Sequence, residues 1–276
     1  MLDQVIVIYC ICDEVVKTLG IKDDIQCKMS TVEVMTFAIM SAQLYGGNYR
    51  RTRLVAQCHN YFYKILSLSQ LVRRIHQIPE HIWILIFGAL QVFLRNKNNR
   101  YFIIDSFPVK AYENHKSFRA KIFSSKEYHG YSATKKFYFF GIKVHMIVDI
   151  NGVPVEFAFS PGSASDIKTL EGFAFNLPRN SILMGDKAYT NYQLEDELKE
   201  IEGIRMLVKR RANLTRQNSP SEEFFLRTQR NKIETVFSAI VSRMPRYIKA
   251  RTEKGFCLKV FLFILAYMVN LFYPLV

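Results

Sequence analysis

The chain has 276 residues, of which 49% are hydrophobic and 14% aromatic, a composition that excludes a disordered polypeptide and allows one large domain or two smaller ones. Its net charge of +14 is unevenly spread: 12 basic against 7 acidic side chains over 1–100, 12 of each over 101–201, and 14 against 5 over 202–276. Basic flanks around a neutral middle suit a polyanionic partner better than they suit mere solubility.

From the N-terminus, Met1 to Cys12 is apolar but carries Asp3 and no basic leader, so no signal peptide is expected. Residues 1–97 read as an all-helical domain. Ser30 and Glu33 have the spacing of a capping box, with Val34, Phe37, Ala38, Ser41 and Leu44 following at helical intervals and Gly46-Gly47 ending the helix. Arg50, Arg51 and Arg53 come next, then an apolar and aromatic helix over 54–65. Ser67 and Ser69 can cap a helix carrying Arg73 and Arg74, which Pro79 ends, and a last helix covers about 80–95. Short helices with arginines between them suit a helix-turn-helix-like DNA reader; spacing alone suits a helical bundle with solvated arginines equally well. Asn96–Arg100 is the linker. The five cysteines (10, 12, 27, 58 and 257) are odd in number and lack metal-site pairing, so buried free thiols in a reducing, cytosolic compartment are expected.

Beyond 97 the period changes, and residues 98–276 read as an α/β domain. Tyr101–Asp105 is a short apolar strand, and 111–136, rich in Lys, Ser and Tyr, a long loop or insertion. Two strand-like runs, 137–149 and 153–160, are joined by Ile150-Asn151-Gly152, a hairpin signal. A helix over 165–175, a strand over 181–184, a helix through 192–200, a strand over 204–208 and closing helices over about 229–243 and 255–272 complete the order, giving a mixed sheet of five strands. The apolar runs Ile82–Leu94 and Val260–Val269 are too short to cross a bilayer, so no membrane partner is expected.

Three acids fall at the ends or edges of these elements. Asp105 closes the first strand, Asp186 follows the fourth in Gly185-Asp186-Lys187-Ala188-Tyr189, and Glu234 lies on the penultimate helix, beside the apolar stripe of Ile233, Phe237, Ile240 and Met244. Strand ends are where an open sheet presents side chains to a ligand, so acids from distant parts of the chain can meet there. Three carboxylates can hold two hard divalent cations, one activating an attacking hydroxyl and one stabilising the leaving oxygen of a phosphodiester. Singly each acid has an ordinary explanation, such as a turn for Asp186 or an i, i+4 pair with Arg230 for Glu234; the three together favour the site. Lys187, Tyr189 and Arg230 are candidate phosphate contacts. Asp166 suits a helix cap, Asp149 the hairpin turn, and His145 a satisfied position within the sheet.

The order of acids along these elements resembles the ribonuclease H-like fold of DDE transposases. Gly141-Ile142-Lys143-Val144-His145, Asp149-Ile150-Asn151-Gly152-Val153-Pro154, Gly185-Asp186-Lys187-Ala188-Tyr189 and Arg230-x-x-x-Glu234 resemble phrases of bacterial insertion-sequence transposases, and with Gly46-Gly47-Asn48-Tyr49-Arg50-Arg51 the similarity is to the insertion-sequence 982 family, from about residue 30 to 272. The resemblance implies Asp105, Asp186 and Glu234 as catalytic metal ligands for two Mg2+ or Mn2+ ions. It also implies DNA partners (terminal inverted repeats and target), a homodimer on DNA, and cleavage and strand transfer in a bacterial cytosol. Some related transposases have a tyrosine three residues before the arginine and a lysine seven after the glutamate; here those positions hold Arg227 and Val241. A DNA-binding protein without catalysis, or a nuclease of the same fold that never joins strands, are the competing expectations.

Overall fold

In the computed structural model, which describes residues 2–112, 121–132 and 137–274, the chain divides into two units: Met1–Leu94 together with Ala239–Val276, and Arg95–Ser238. The C-terminal stretch thus groups with the N-terminal helices, where the sequence reading set a single boundary near 97.

In the helical unit, α1 (Leu2–Thr18), α2 (Thr31–Tyr45), α3 (Tyr49–Cys58), α4 (Leu68–Gln77) and α5 (Glu80–Leu94) pack with a C-terminal helix, Glu253–Phe272. The two serine signals act as expected. Ser30 Oγ accepts the Glu33 N–H at 3.1 Å while Glu33 returns a carboxylate to the Ser30 N–H at 2.7 Å, and Ser67 with Gln70 repeats the device at the head of α4. Gly46, at φ 57°, closes α2. One helix is displaced from its expected place over 54–65. Asn48 caps it by accepting the Arg51 N–H, so Arg50, Arg51 and Arg53 lie in its first turns, and the chain leaves the helix before Asn60, which sits at φ 51°. The core is α2, buried from Val34 to Gln43, against the C-terminal helix, buried from Val260 to Val269. That last helix is long and apolar enough to cross a membrane, contrary to the sequence count, but α2 and α5 cover it and two thirds of it is buried. By contrast α5 buries one face only, leaving Ile84, Leu85, Val92 and Phe93 outward. The cysteines are unpaired thiols as expected, although Cys10 and Cys58 are exposed rather than buried.

Among the described residues the second unit is built on a mixed sheet of six strands: β1 (Tyr101–Tyr112), β2 (His129–Ser132), β3 (Phe137–Asp149), β4 (Pro154–Pro161), β5 (Ile182–Gly185) and β6 (Arg205–Val208). β1 is central, antiparallel to β3 on one side and parallel to β5 on the other, and β5 is parallel to β6. β2 and β4 share the far edge of β3, β2 along 137–140 and β4 along 142–148. The sixth strand, β2, falls in the stretch expected to be loop; residues 113–120 and 133–136 of that stretch lie outside the described residues.

Backbone crowds where β2 and β4 succeed one another on β3. A Cβ on Gly130 would lie 2.3 Å from the Gly162 carbonyl oxygen, one on Gly162 2.7 Å from Tyr128 O, and one on Gly141 2.2 Å from Val109 O.

β1 runs seven residues past its expected end at Asp105. The apolar run stops there, but Phe107 and Val109 keep the alternation and stay buried against β3, which offers partners to Tyr112. Pro108, lacking an N–H, is tolerated because pairing with β5 has already ended at Ile103↔Met184. At the hairpin, Asp149 Oδ1 accepts the N–H groups of Asn151 and Val153 at 2.8 and 2.9 Å and so shapes the turn.

One face of the sheet, carrying Phe102, Ile104 and Ile147, is covered by α6 (Asp166–Leu170), α7 (Tyr192–Glu197) and the segments around them. α6 is five residues long where eleven were expected. The half-buried Glu156 carboxylate accepts N–H groups of the following segment, the Ala174 N–H at 2.6 Å, which diverts that backbone from a helix. The opposite face meets α8 (Pro220–Arg243), which begins nine residues before its expected start, through Phe107–Phe237 and Tyr101–Phe225 ring contacts.

Candidate active site

The parallel register of β1 and β5 sets the two aspartates. Ile103 pairs with Met184, so Asp105 and Asp186, each two residues further on, stand level on neighbouring strands. Both strands run in the same direction, so both acids emerge at the same edge. Asp105 shares a face with Ile103 and Phe107, the face that α8 covers, and Glu234 comes down from that helix.

The three acids converge on one side chain. Arg230, one turn before Glu234 on α8, places Nη1 3.3 Å from Asp186 Oδ1, Nη2 3.9 Å from Asp105 Oδ2 and Nε 3.3 Å from Glu234 Oε1. As the side chains stand, no group of three acid, His or Cys residues among those described is arranged to hold a metal ion; the guanidinium takes the space between them. A pocket of about 170 Å3 opens here, lined by Asp105, Asp186, Lys209, Glu223, Arg227 and Arg230 among others. Lys209 and Glu223 were not legible as site residues. Glu223 lies eleven residues before Glu234 on the same helix, a spacing that puts both on one side, and this could have suggested it.

Burial raises the Asp105 carboxyl to about 6. The Ser106 N–H, which it accepts at 2.8 Å, and Arg230 pull it back, while Asp186 and Asp166 push it up. A carboxylate this poorly solvated requires positive charge nearby.

Tyr189 is displaced from its expected role. It is 1% exposed, its ring packed among the α6–α7 core and its hydroxyl 3.5 Å from His145 Nδ1, so it does not face solvent where a phosphate could reach it. His145 is fully buried, as expected of a satisfied sheet residue. Its Nε2 is 2.8 Å from Ser160 Oγ, and burial pushes its pKa down to about 4, with Asp166 opposing and Lys143 assisting. Asp166 begins α6 and lies 2.9 Å from Lys143 Nζ, a paired acid rather than a member of the Arg230 cluster. Lys187 is exposed beside Asp186.

The arginines of the helical unit separate by partner. Arg50, Arg51 and Arg73 are exposed. Arg53 donates to Leu66 O and to Gln57, and Arg74 pairs with Asp23 at 3.3 Å, so both have structural work. α4 and α5 meet at a bend of 80°, and the basic residues of that pair lie on α4, since α5 carries no Lys or Arg.

Two aspartates level on adjacent parallel strands, met by a glutamate from a helix lying over them, define an α/β protein built around an acidic triad. The chain belongs to the transposase DDE domain family, whose model matches residues 97–271. No curated protein matches it.

Proposed function

We propose that this DDE transposase cleaves and rejoins DNA strands at the ends of an insertion sequence of the 982 family, with Asp105, Asp186 and Glu234 as the acids of the reaction. The observation that carries the reading is the meeting of these three side chains, 81 and 48 positions apart in sequence, around the single guanidinium of Arg230. A ribonuclease H-like assignment is supported by the sheet: an antiparallel trio β4-β3-β1 followed by the parallel β5 and β6.

The donors fit two Mg2+ or Mn2+ ions in kind, being hard carboxylate oxygens, with Asp105 poorly solvated. Bound there, such ions would activate the attacking hydroxyl and stabilise the leaving oxygen. The chain's own part is positional. β1 and β5 fix the two aspartates at one level, and α8 supplies the third acid from a half-exposed position where it can adjust. Exposed Lys187, Lys209 and Arg227 offer charge to the phosphates on either side of the scissile bond, and Arg50, Arg51 and Arg73 offer it to DNA on the helical unit. The first turn of α3 is basic with no acidic residue, unfavourable against the helix dipole unless an anion sits nearby, which agrees with a phosphate partner. A homodimer on DNA in the bacterial cytosol belongs to the same reading.

The test is a Mg2+-dependent assay of cleavage and joining on labelled terminal DNA, with binding measured in parallel for wild type and Asp186→Asn. Retained binding with lost cleavage is expected. Binding with no cleavage by either protein would favour a non-catalytic DNA-binding protein, and cleavage without joining a nuclease of this fold.

A further inference from the structure

We infer that Arg230 is a resident counter-ion of the three acids before metal arrives, and that DNA phosphate must draw it away before they can take their cations. This rests on the metal-dependent reading above and adds to it an order of events.

One guanidinium touches all three carboxylates at 3.3–3.9 Å. Charge-assisted bonds at full strength are about 2.7–2.9 Å. Arg230 therefore neutralises the acids loosely, by field rather than by a tight fork, and can leave without breaking a buried bidentate pair. It has an exit, since 38% of its side chain is exposed. Asp105 and Asp186 are fixed by their strands, so the oxygens that Arg230 contacts are the ones a cation would need, and the two compete for the same place.

The charge balance gives the competition its direction. With Arg230 among them, the three acids have less negative charge than two dications require. An incoming phosphate supplies negative charge and a better-shaped partner for a guanidinium. It would also meet Lys209 and Arg227, which line the same pocket. Drawn to the phosphate, Arg230 would vacate the acids just as the substrate arrives. Metal loading is thereby coupled to DNA engagement, and by linkage each ligand must tighten the other by the same factor.

The experiment measures Mn2+ affinity of the full chain, with and without a short random-sequence DNA duplex, for wild type, Arg230→Gln and Arg230→Lys. Without DNA, Arg230→Gln should bind Mn2+ about tenfold more tightly than wild type, since a competing charge a few ångströms away is gone. The duplex should tighten Mn2+ binding to wild type by several-fold, to Arg230→Lys by less, and to Arg230→Gln hardly at all. Melting curves without Mn2+ check folding; should Arg230→Gln fail to fold, Arg230→Lys carries the measurement, with tighter Mn2+ binding than wild type expected. Equal or weaker Mn2+ affinity in the folded variants, or a duplex effect that persists in Arg230→Gln, overturns the inference while leaving the metal site standing. Failure of every protein to bind Mn2+, with or without DNA, would overturn the metal reading itself.

Discussion

In the helical unit the C-terminal helix is buried for ten consecutive residues, and its neighbour α2 silences a buried hydroxyl locally, Thr36 Oγ1 donating to Val32 O at 2.8 Å. The sheet unit does the reverse. It buries His145, Asp149 and Glu195 and brings three acids and an arginine to one edge. In the first unit apolar area holds the fold and few side chains carry chemistry; in the second, charge is concentrated where solvent is scarce, and each group needs a named partner. The lesson is that damage should read out differently: loss of packing in one unit, loss of a partner or a ligand in the other.

The sharpest separation comes from the acids. Asp105→Asn, Asp186→Asn or Glu234→Gln should lower strand cleavage by orders of magnitude with DNA binding retained, since divalent ions supply several kcal/mol of transition-state stabilisation. Asp149→Asn should leave cleavage near wild type and instead lower stability by about 1 kcal/mol through the hairpin turn. A cleavage-dead Asp149→Asn with a normal melting temperature would break the division.

Phe263 tests the other side. It is 1% exposed in the C-terminal helix, so Phe263→Ala should cost about 3–5 kcal/mol in chemical denaturation. A loss under 1 kcal/mol would mean that the helix is not the packed core it looks.

Titration sharpens the contrast further. His145 is neutral when folded, with its pKa lowered from 6.5 to about 4. Its stabilising contribution is complete above pH 6.5 and is lost as pH falls toward 4, because the unfolded chain takes up the proton first. Asp105, raised from 3.8 to about 6, has the opposite sign: its contribution is present below 3.8 and lost as pH rises toward 6. The two slopes offset in wild type. In Asp105→Asn the His145 slope should emerge, with stability falling by about 3 kcal/mol between pH 6.5 and 4. Denaturant melts across that range decide it, and a flat profile in Asp105→Asn would contradict the buried neutral imidazole.

The smallest effect is expected on the helical surface. Arg50→Ala with Arg51→Ala should weaken DNA binding several-fold at low salt and less at high salt, as loss of phosphate contacts does. Arg53→Ala should show up in the melting temperature, since that side chain holds Leu66 O at 2.8 Å. Equal salt-dependent losses from all three would show that Arg53 too serves DNA.

Much of this was legible because it depends on local chemistry. The capping box at Ser30, the serine cap at 67, the glycine stop at 46 and the Asn-Gly hairpin are set by neighbours in sequence. The acids stood out locally too: Asp105 ends an apolar run, Asp186 follows one, and Glu234 borders the apolar stripe of its helix. What could not be read depends on partners far along the chain. β1 continues past Asp105 only because β3 is long enough to pair with it, and α6 stops early because Glu156, ten residues upstream of it, takes the backbone donors that a longer helix would have used. Tyr189 looked like a phosphate contact from its place beside Asp186, but a phenol three residues along a tight turn points back into the core. Nor could spacing foretell that Arg230 would span all three acids.

The glycines at 130, 141 and 162 bear on how copies of this chain can diverge. At Gly47 an added methyl would meet Phe263, a side chain that a second change could shrink, which would leave only the strain of a φ of 72°. At the three strand-junction glycines the obstacle is another segment's backbone, and no substitution elsewhere can trim a carbonyl. Such sites have no compensated path: a lineage can rewrite the surrounding side chains freely and still be held at these three. In a pooled mutational scan they should accept glycine alone, in any background, and the junction of β2 and β4 on β3 would be the part of the fold that drifts least.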